Sequence, residues 1–399
     1  MNKNSKNLRR NLDLLAWNVF FAELRLYYPV AVLAFEAVAG SFTEAMSVFA
    51  VMSVSQAFLE VPTGVLSDKV GRRKTLIIGS FAEMLGAACV ALAFSVPNGL
   101  LMLYAAAILV GFANAMFSGN NEALLYETLS YYRRTSETAK MIGRVHSMGQ
   151  MGLAISGIGA SICLLLGMNY QHLMVLSFFP VLMSFLLTFS INEPPTHKTE
   201  VRSFAHIKKA LKLIMQDPKL FWLVVASAVR NGLGHSAHSF TPAFIESVWP
   251  LWMTSLYRTA QSFIGSFSFW FAGRVTTHFG LMKSLLGATL YSYFATILSY
   301  VTVTFFSPFL LLTTQPAYAV RVTADRTLKQ ASFSQAQRST MGSLVSFAEA
   351  LLDGVGAILA GVLADHFGPA QALLIIMLIT APTVFVYFKL YKAERLPSR

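Results

Sequence analysis

Read by its apolar and polar positions, the chain is a series of long greasy runs separated by short polar stretches. The runs fall at roughly 14–38, 45–66, 75–95, 100–120, 143–166 and 172–191, then at 218–240, 252–273, 282–303, 307–325, 341–364 and 370–391. They lack the every-other-residue alternation of a half-buried strand, and each approaches the ~20 residues a helix needs to cross a bilayer. In hydrocarbon only helices and closed barrels satisfy their own backbone groups, so continuous runs select helices. The stretch 192–217 interrupts the series. It opens with Asn192-Glu193-Pro194-Pro195, carries Lys198, Arg202, Lys208, Lys209 and Lys212, and ends at Asp217-Pro218. The pattern predicts an all-α integral membrane protein with twelve transmembrane helices in two pseudo-symmetric six-helix bundles. These occupy 1–191 and 218–399, with 192–217 as a polar linker that holds a short amphipathic helix over 203–215.

The basic residues orient the bundle. Lys3, Lys6, Arg9 and Arg10 precede the first span, and Lys69, Arg72, Arg73 and Lys74 follow the second. Arg133, Arg134, Lys140 and Arg144 follow the fourth. Arg274 and Lys283 flank the eighth connection, and Arg326, Lys329 and Arg338 fill the tenth. With the linker and the C-terminal Lys389, Lys392, Arg395 and Arg399, these all fall between alternate spans. The positive-inside bias therefore predicts that linker and both termini are cytoplasmic, in a cell inner membrane.

Composition agrees. Only 13% of residues are charged, against about 25% in soluble domains, and mean hydropathy is +0.56. The net charge of +12 lies between the spans and forms no basic stripe interleaved with aromatics, so nucleic acid is excluded as a partner. Cys89 and Cys163 lie within apolar runs and read as packing residues; no metal-ligand spacing is present. The first run holds Glu23 and Arg25 and is expected to be retained rather than cleaved as a signal peptide.

Two polar connections repeat each other. Residues 64–74 read GVLSDKVGRRK and residues 273–283 read GRVTTHFGLMK, with Gly64, Gly71 and Lys74 recurring 209 positions later as Gly273, Gly280 and Lys283. Duplicated apolar halves suggest a transporter that rocks about its midline. The first string, with Gly64, Leu66, Asp68, Gly71, Arg72, Arg73 and Lys74, resembles the loop between the second and third helices of the major facilitator superfamily, and the flanking LEVPTGVLSDKVGRRKTL resembles its drug:proton antiporter branch. In the second copy Thr277 replaces the aspartate and Leu281 and Met282 replace the arginines, so that loop is expected to pack rather than pair. The arginines of the first are expected to reach acids on neighbouring helices, with Glu122 and Glu127 as candidates, and to gate the transport cycle with Asp68. A third string, Gly361 to Gly368 with Asp365 between them, falls at an outer connection and reads as helix-end chemistry.

Ionisable residues inside a span usually face a cavity or a partner. The resemblance implies that spans one, four, seven and ten line a central cavity. Glu23 and Arg25 on span one and Arg230 and His235 on span seven are therefore candidates for substrate or proton binding, with His238 as a further relay candidate. Arg321 and Asp325, at i,i+4, predict a structural pair, whereas Glu349 and Asp353 share that spacing with like sign, which suits proton exchange. Two family markers are missing: the arginine that proton-coupled members carry early in span four has no basic counterpart in LMLYAAAILVGFANAMF, and the glycine–proline stretch that drug antiporters carry in span five has no proline between 143 and 166.

The expected function is secondary active transport of a small organic molecule by alternating access, foremost as proton-coupled efflux; uptake or facilitated diffusion of a polar or anionic metabolite is the alternative. No nucleophile–base constellation or G-x-x-x-x-G-K-S/T loop is visible, so neither an enzyme nor an ATP-driven pump is expected. The proton gradient would supply the energy with no bound cofactor. Protons, substrate and membrane lipids are the expected partners of a monomer.

Overall fold

The computed structural model describes residues 3–194, 212, 214–332 and 338–395, so most of the helix predicted over 203–215 lies outside the described residues. The first half comprises α1 (Lys3–Glu23), α2 (Ala31–Ala39), α3 (Phe42–Val70), α4 (Arg72–Leu92), α5 (Gly99–Phe117), α6 (Asn120–Tyr131), α7 (Thr138–Leu165) and α8 (Tyr170–Thr188). The second comprises α9 (Pro218–Glu246), α10 (Leu251–Phe279), α11 (Leu281–Thr302), α12 (Ser307–Leu312), α13 (Thr314–Ser332), α14 (Arg338–Phe367), α15 (Pro369–Thr380) and α16 (Pro382–Arg395).

All twelve predicted spans are helical, but four are broken. Span one breaks between α1 and α2 where Pro29, lacking an N–H, sits in the short 3₁₀ turn Tyr28–Val30. Span four runs on beyond Gly119, which takes a positive φ of 69° and restarts the chain as α6. Spans ten and twelve divide at Thr313 and at Ala381-Pro382. Among the described residues, nine helices are long and apolar enough to cross a membrane by length and composition. The remaining three spans, in α9, α10 and α12–α13, are the most polar, and two of them carry much of the chemistry described below.

Two compact units are present. One contains Met1–Gly40, Val51–Val201 and Leu251–Thr259; the other contains Ser41–Ala50, Arg202–Pro250 and Ala260–Arg399. The duplication read from the loops extends to packing. In the first unit α1 packs on α7 and α8, and α4 on α5 and α8. In the second, α9 packs on α14, α15 and α16, and α11 on α13, α15 and α16. Span for span, these pairings are equivalent. In the first unit, Leu15, Leu76, Leu124, Val145 and Ile191 form a core beneath the repeated loop. In the second, Leu223, Leu285, Ala324 and Tyr387 do so.

Close approach of α1 and α7 depends on Gly152: a Cβ there would stand 2.5 Å from the Phe20 carbonyl oxygen. Overpacking of this kind costs about 1–3 kcal/mol. Gly152→Val is therefore expected to lower the thermal unfolding midpoint of the purified protein, and an unchanged midpoint would contradict this packing.

Candidate functional site

The first cluster lies in the loop of unit one. Gly71 adopts φ 95°, a conformation that suits glycine, and so turns the chain directly from α3 into α4. That turn exposes the first N–H groups of α4, which have no partner within their own helix. Glu193 supplies one. Its carboxylate accepts from Arg72 N at 2.7 Å and Arg73 N at 2.8 Å, placing a negative charge at the positive end of the helix. A Cβ on Gly71 would stand 2.7 Å from Glu193 Oε1. Glu193 is held in turn by its neighbour: Asn192 and Asn11 exchange two hydrogen bonds, from Asn11 Nδ2 to Asn192 O at 2.8 Å and from Asn192 N to Asn11 Oδ1 at 2.9 Å.

The arginine side chains then diverge. Arg72 pairs with Glu127 of α6, Nε to Oε1 at 3.1 Å, and donates from Nη1 to Ser67 Oγ at 2.9 Å. Ser67 donates to Asn120 Oδ1 at 2.9 Å, and Asn120 returns a bond to the Arg72 carbonyl at 3.2 Å. Arg73 donates to the Phe189 carbonyl at 3.0 Å. Three candidates stand differently from the sequence expectation. Glu122 is exposed at the start of α6 and Lys74 is exposed on α4, neither in this cluster. Gly64 has nothing within 4 Å of where a Cβ would lie, so it serves no close approach among the described residues. Asp68 lies within α3, and its side chain is outside the described residues.

Span one carries a different arrangement. Arg25 is almost wholly buried, forms an ion pair with Glu83 of α4, and sits over the Tyr28 ring at 4.7 Å. Its backbone carbonyl accepts from Ser156 of α7. Glu83 is thus the counterion that permits Arg25 in this apolar setting. Glu23 packs against Gly149 and Gly152 of α7.

The second cluster lies in unit two, where three helices each bring polar groups in rows spaced by four, hence on one face. The rows are Ser227, Asn231 and His235 on α9; Arg321, Asp325 and Lys329 on α13; Glu349 and Asp353 on α14. Lys329 is the centre. Only 8% exposed, its ammonium contacts Asp325 Oδ2 at 2.9 Å, Ser227 Oγ at 2.7 Å and Glu349 Oε1 at 3.4 Å. Ser227 donates to Asp325 at 2.8 Å. Asn231 donates to Glu349 Oε1 at 2.9 Å and accepts from Arg321 Nη1 at 2.8 Å. Farther along, His235 Nδ1 meets Asp353 Oδ2 at 2.9 Å, with the imidazole 62% exposed and the carboxylate 10%.

Several sequence expectations change here. Asp325 pairs with Lys329 one turn later, not with Arg321, which reaches Asn231 instead. Glu349 and Asp353 do not act as one like-charged pair, because each has its own partner on another helix. Lys329, counted among loop residues, is a buried member of the network. Arg230 points elsewhere: its guanidinium lies over the Tyr293 ring at 4.8 Å, and its Nη1 lies 4.0 Å from Met377 Sδ. Sequence reasoning passed over Ser227, Asn231 and Glu193. The first two were signalled by their spacing from His235, but Glu193 had only its place beside a basic loop.

Asp365 also acts at a helix end, though not its own. Its carboxylate accepts from Phe42 N and Thr43 N at 2.9 Å each and from Thr43 Oγ1 at 2.6 Å, capping α3 within unit two.

Comparison with known proteins accords with this arrangement. By sequence the chain matches no individual curated protein. Its fold resembles a mutant form of the nucleoside transporter NupG, with TM-score 0.81 and 12% identity over 96% of this chain and 100% of that one. It also resembles a bacterial homologue of the human lysosomal transporter Spinster in an inward-facing, unoccupied conformation, with TM-score 0.75 and 14% identity over 100% of both chains. A POT family transporter in complex with a thioalcohol-conjugated peptide aligns with TM-score 0.75 and 10% identity over 97% of each chain. The sequence pattern of the Major Facilitator Superfamily matches residues 15–320. The chain is a multi-pass membrane transporter that belongs to the major facilitator superfamily.

Proposed function

We propose that this transporter couples the movement of a small polar organic solute to the proton gradient across the cell inner membrane, with both termini cytoplasmic and no bound cofactor. The observation that carries the reading is that Lys329 is shared. Its one ammonium contacts two carboxylates, Asp325 and Glu349, so a proton on one leaves the other as its undivided partner, while Arg321 meets the network through Asn231. Glu349 is the accessible member, with its side chain 27% exposed against 2% for Asp325. A proton on Glu349 weakens its hold on Lys329, which keeps Asp325 and Ser227. The link from α14 to α9 and α13 then loosens, and the carboxyl is free to reorient. Solute binds near the exposed His235 ring, where imidazole, Asp353 and Asn231 offer both donors and acceptors. Arg25 already has Glu83 as its counterion and takes a structural role.

The loop of unit one gates the cycle. Its ion pair and its capped helix end hold α3, α4, α6 and the chain after α8 together, so changing their relation requires Arg72 to release Glu127 or Glu193 to release α4. Solute import is favoured by the polar character of the network and by neighbours described as handling nucleosides and a peptide conjugate. Export is the second reading, supported by the likeness of GVLSDKVGRRK to the drug:proton antiporters.

Reconstitution in vesicles with an imposed pH gradient separates these readings. Solute accumulation in the direction of proton flow supports import, and accumulation against it supports export; transport indifferent to the gradient would sink proton coupling. Glu349→Gln is expected to abolish gradient-driven accumulation while preserving solute exchange across the membrane. Full accumulation by that variant would remove Glu349 from the coupling path.

Removing the ammonium leaves two carboxylates in an apolar setting. Breaking such a buried pair costs about 3–5 kcal/mol, so Lys329→Ala is expected to unfold at markedly lower temperature. The loss should be smaller when measured in a Glu349→Gln background, and equal losses in both would contradict the pairing. For the gate, Asp68→Asn, Arg72→Ala and Glu193→Gln are each expected to slow turnover with solute affinity unchanged. Weakened affinity at normal turnover would count against gating.

A further inference from the structure

The two copies of the repeated loop have nearly the same backbone but different electrostatics. Gly280 takes φ 84°, close to the 95° of Gly71, and each glycine turns directly into the next long helix. In unit one the helix start beyond that turn carries the Glu193 carboxylate. In unit two, among the described residues, no side chain accepts from the N–H groups of Leu281 or Met282 at the start of α11. The basic side chains nearby are exposed: His278 in the last turn of α10, Lys283 in the first turn of α11, and Arg274 farther back on α10, where its guanidinium lies over the Trp270 and Phe271 rings.

A groove leads away from this end. It begins as an open surface depression at the end of α10, edged by Arg274, Thr277 and His278. It continues as an apolar groove of about 410 Å³ between α10, α11 and α13, lined by Val275, Phe279, Gly287, Ala288, Ala317 and Val320. The residues are small where α11 and α13 border it, and nothing lies within 4 Å of where a Cβ on Gly287 would stand. Ser284 also lines the groove. It is only 7% exposed, and its hydroxyl has no hydrogen-bond partner among the described residues. A buried hydroxyl without a partner is costly, and this one lies beside the groove.

We propose that this groove binds an anionic phospholipid. The headgroup phosphate lies against Arg274, His278 and Lys283 and takes the N–H groups that open α11, as Glu193 does for α4. An acyl chain follows the apolar groove past Gly287 and Ala288. Charge complementarity at one end and an apolar channel at the other select an amphipathic anion over free phosphate, which would leave the channel unfilled. The site is separate from the Lys329 network, so it stands whichever solute the protein carries.

Native mass spectrometry of the full-length protein in detergent tests the assignment, with dioleoyl-phosphatidylglycerol, dioleoyl-phosphatidylcholine and inorganic phosphate as probes. Phosphatidylglycerol is expected to form a one-to-one adduct that persists at collision energies where phosphatidylcholine is lost. Each basic residue near an anionic surface contributes about fivefold in affinity, so Arg274→Gln and Lys283→Gln should each weaken the adduct by about that factor. Gly287→Leu fills the channel and should reduce the adduct with the basic residues intact. These positions are exposed, and an unchanged unfolding midpoint without lipid would show that each variant is folded. Equal retention of the two lipids, adducts indifferent to all three substitutions, or full competition by inorganic phosphate would overturn the proposal.

Discussion

A positive charge among apolar helices has to be answered, and in this protein Lys329 organises unit two around that requirement. Taking an ionisable side chain out of water costs several kcal/mol unless partners answer its charge. The cost is offset only where partners converge, and here they come from three helices. Asp325 lies one turn earlier on α13, Ser227 comes from α9 and Glu349 from α14. The network therefore fixes the mutual rotation of α9, α13 and α14, and in the proposed cycle the same atoms would take up the proton.

Unit one meets the same requirement with an ion pair. Arg25 and Glu83 form a buried pair with one charge of each sign, and Glu23 packs against α7 two residues before Arg25. Its chemistry has moved to the loop, where Arg72, Glu127 and Glu193 tie helix ends together. The duplicated loops thus show how a common backbone diverges. Gly71 and Gly280 keep the turn, whereas the carboxylate that caps α4 has no counterpart at α11 among the described residues. What persists between the halves is the geometry of close packing, and what differs is where charge is placed.

Much of the architecture was legible because the bilayer imposes a simple pattern. Runs near twenty apolar residues with basic residues at alternate connections determine a helical bundle, and the repeat at Gly64 and Gly273 divides it into halves. Breaks within spans were less visible: Pro29 is a local signal, but the division at Thr313 has none in the apolar count. In the sites, legibility followed sequence distance. Arg321, Asp325 and Lys329 stand at successive turns of one helix, yet the lysine sits near the polar end of its span and reads as a loop charge until α9 and α14 are seen to cover it. Glu193 contacts α4 only because the chain after α8 returns to that loop, more than a hundred residues from Arg72. No local pattern carries that information. Likewise, the i,i+4 spacing of Glu349 and Asp353 placed them on one face without showing that Lys329 and His235 would give them separate partners.

The central claim is that Glu349 trades its contact with Lys329 for a proton. Infrared difference spectra of the purified protein between alkaline and acidic solution test it directly. The account predicts a protonated-carboxyl band that appears on acidification in the wild type and is missing from a Glu349→Gln variant. A band of equal intensity in both proteins would contradict it.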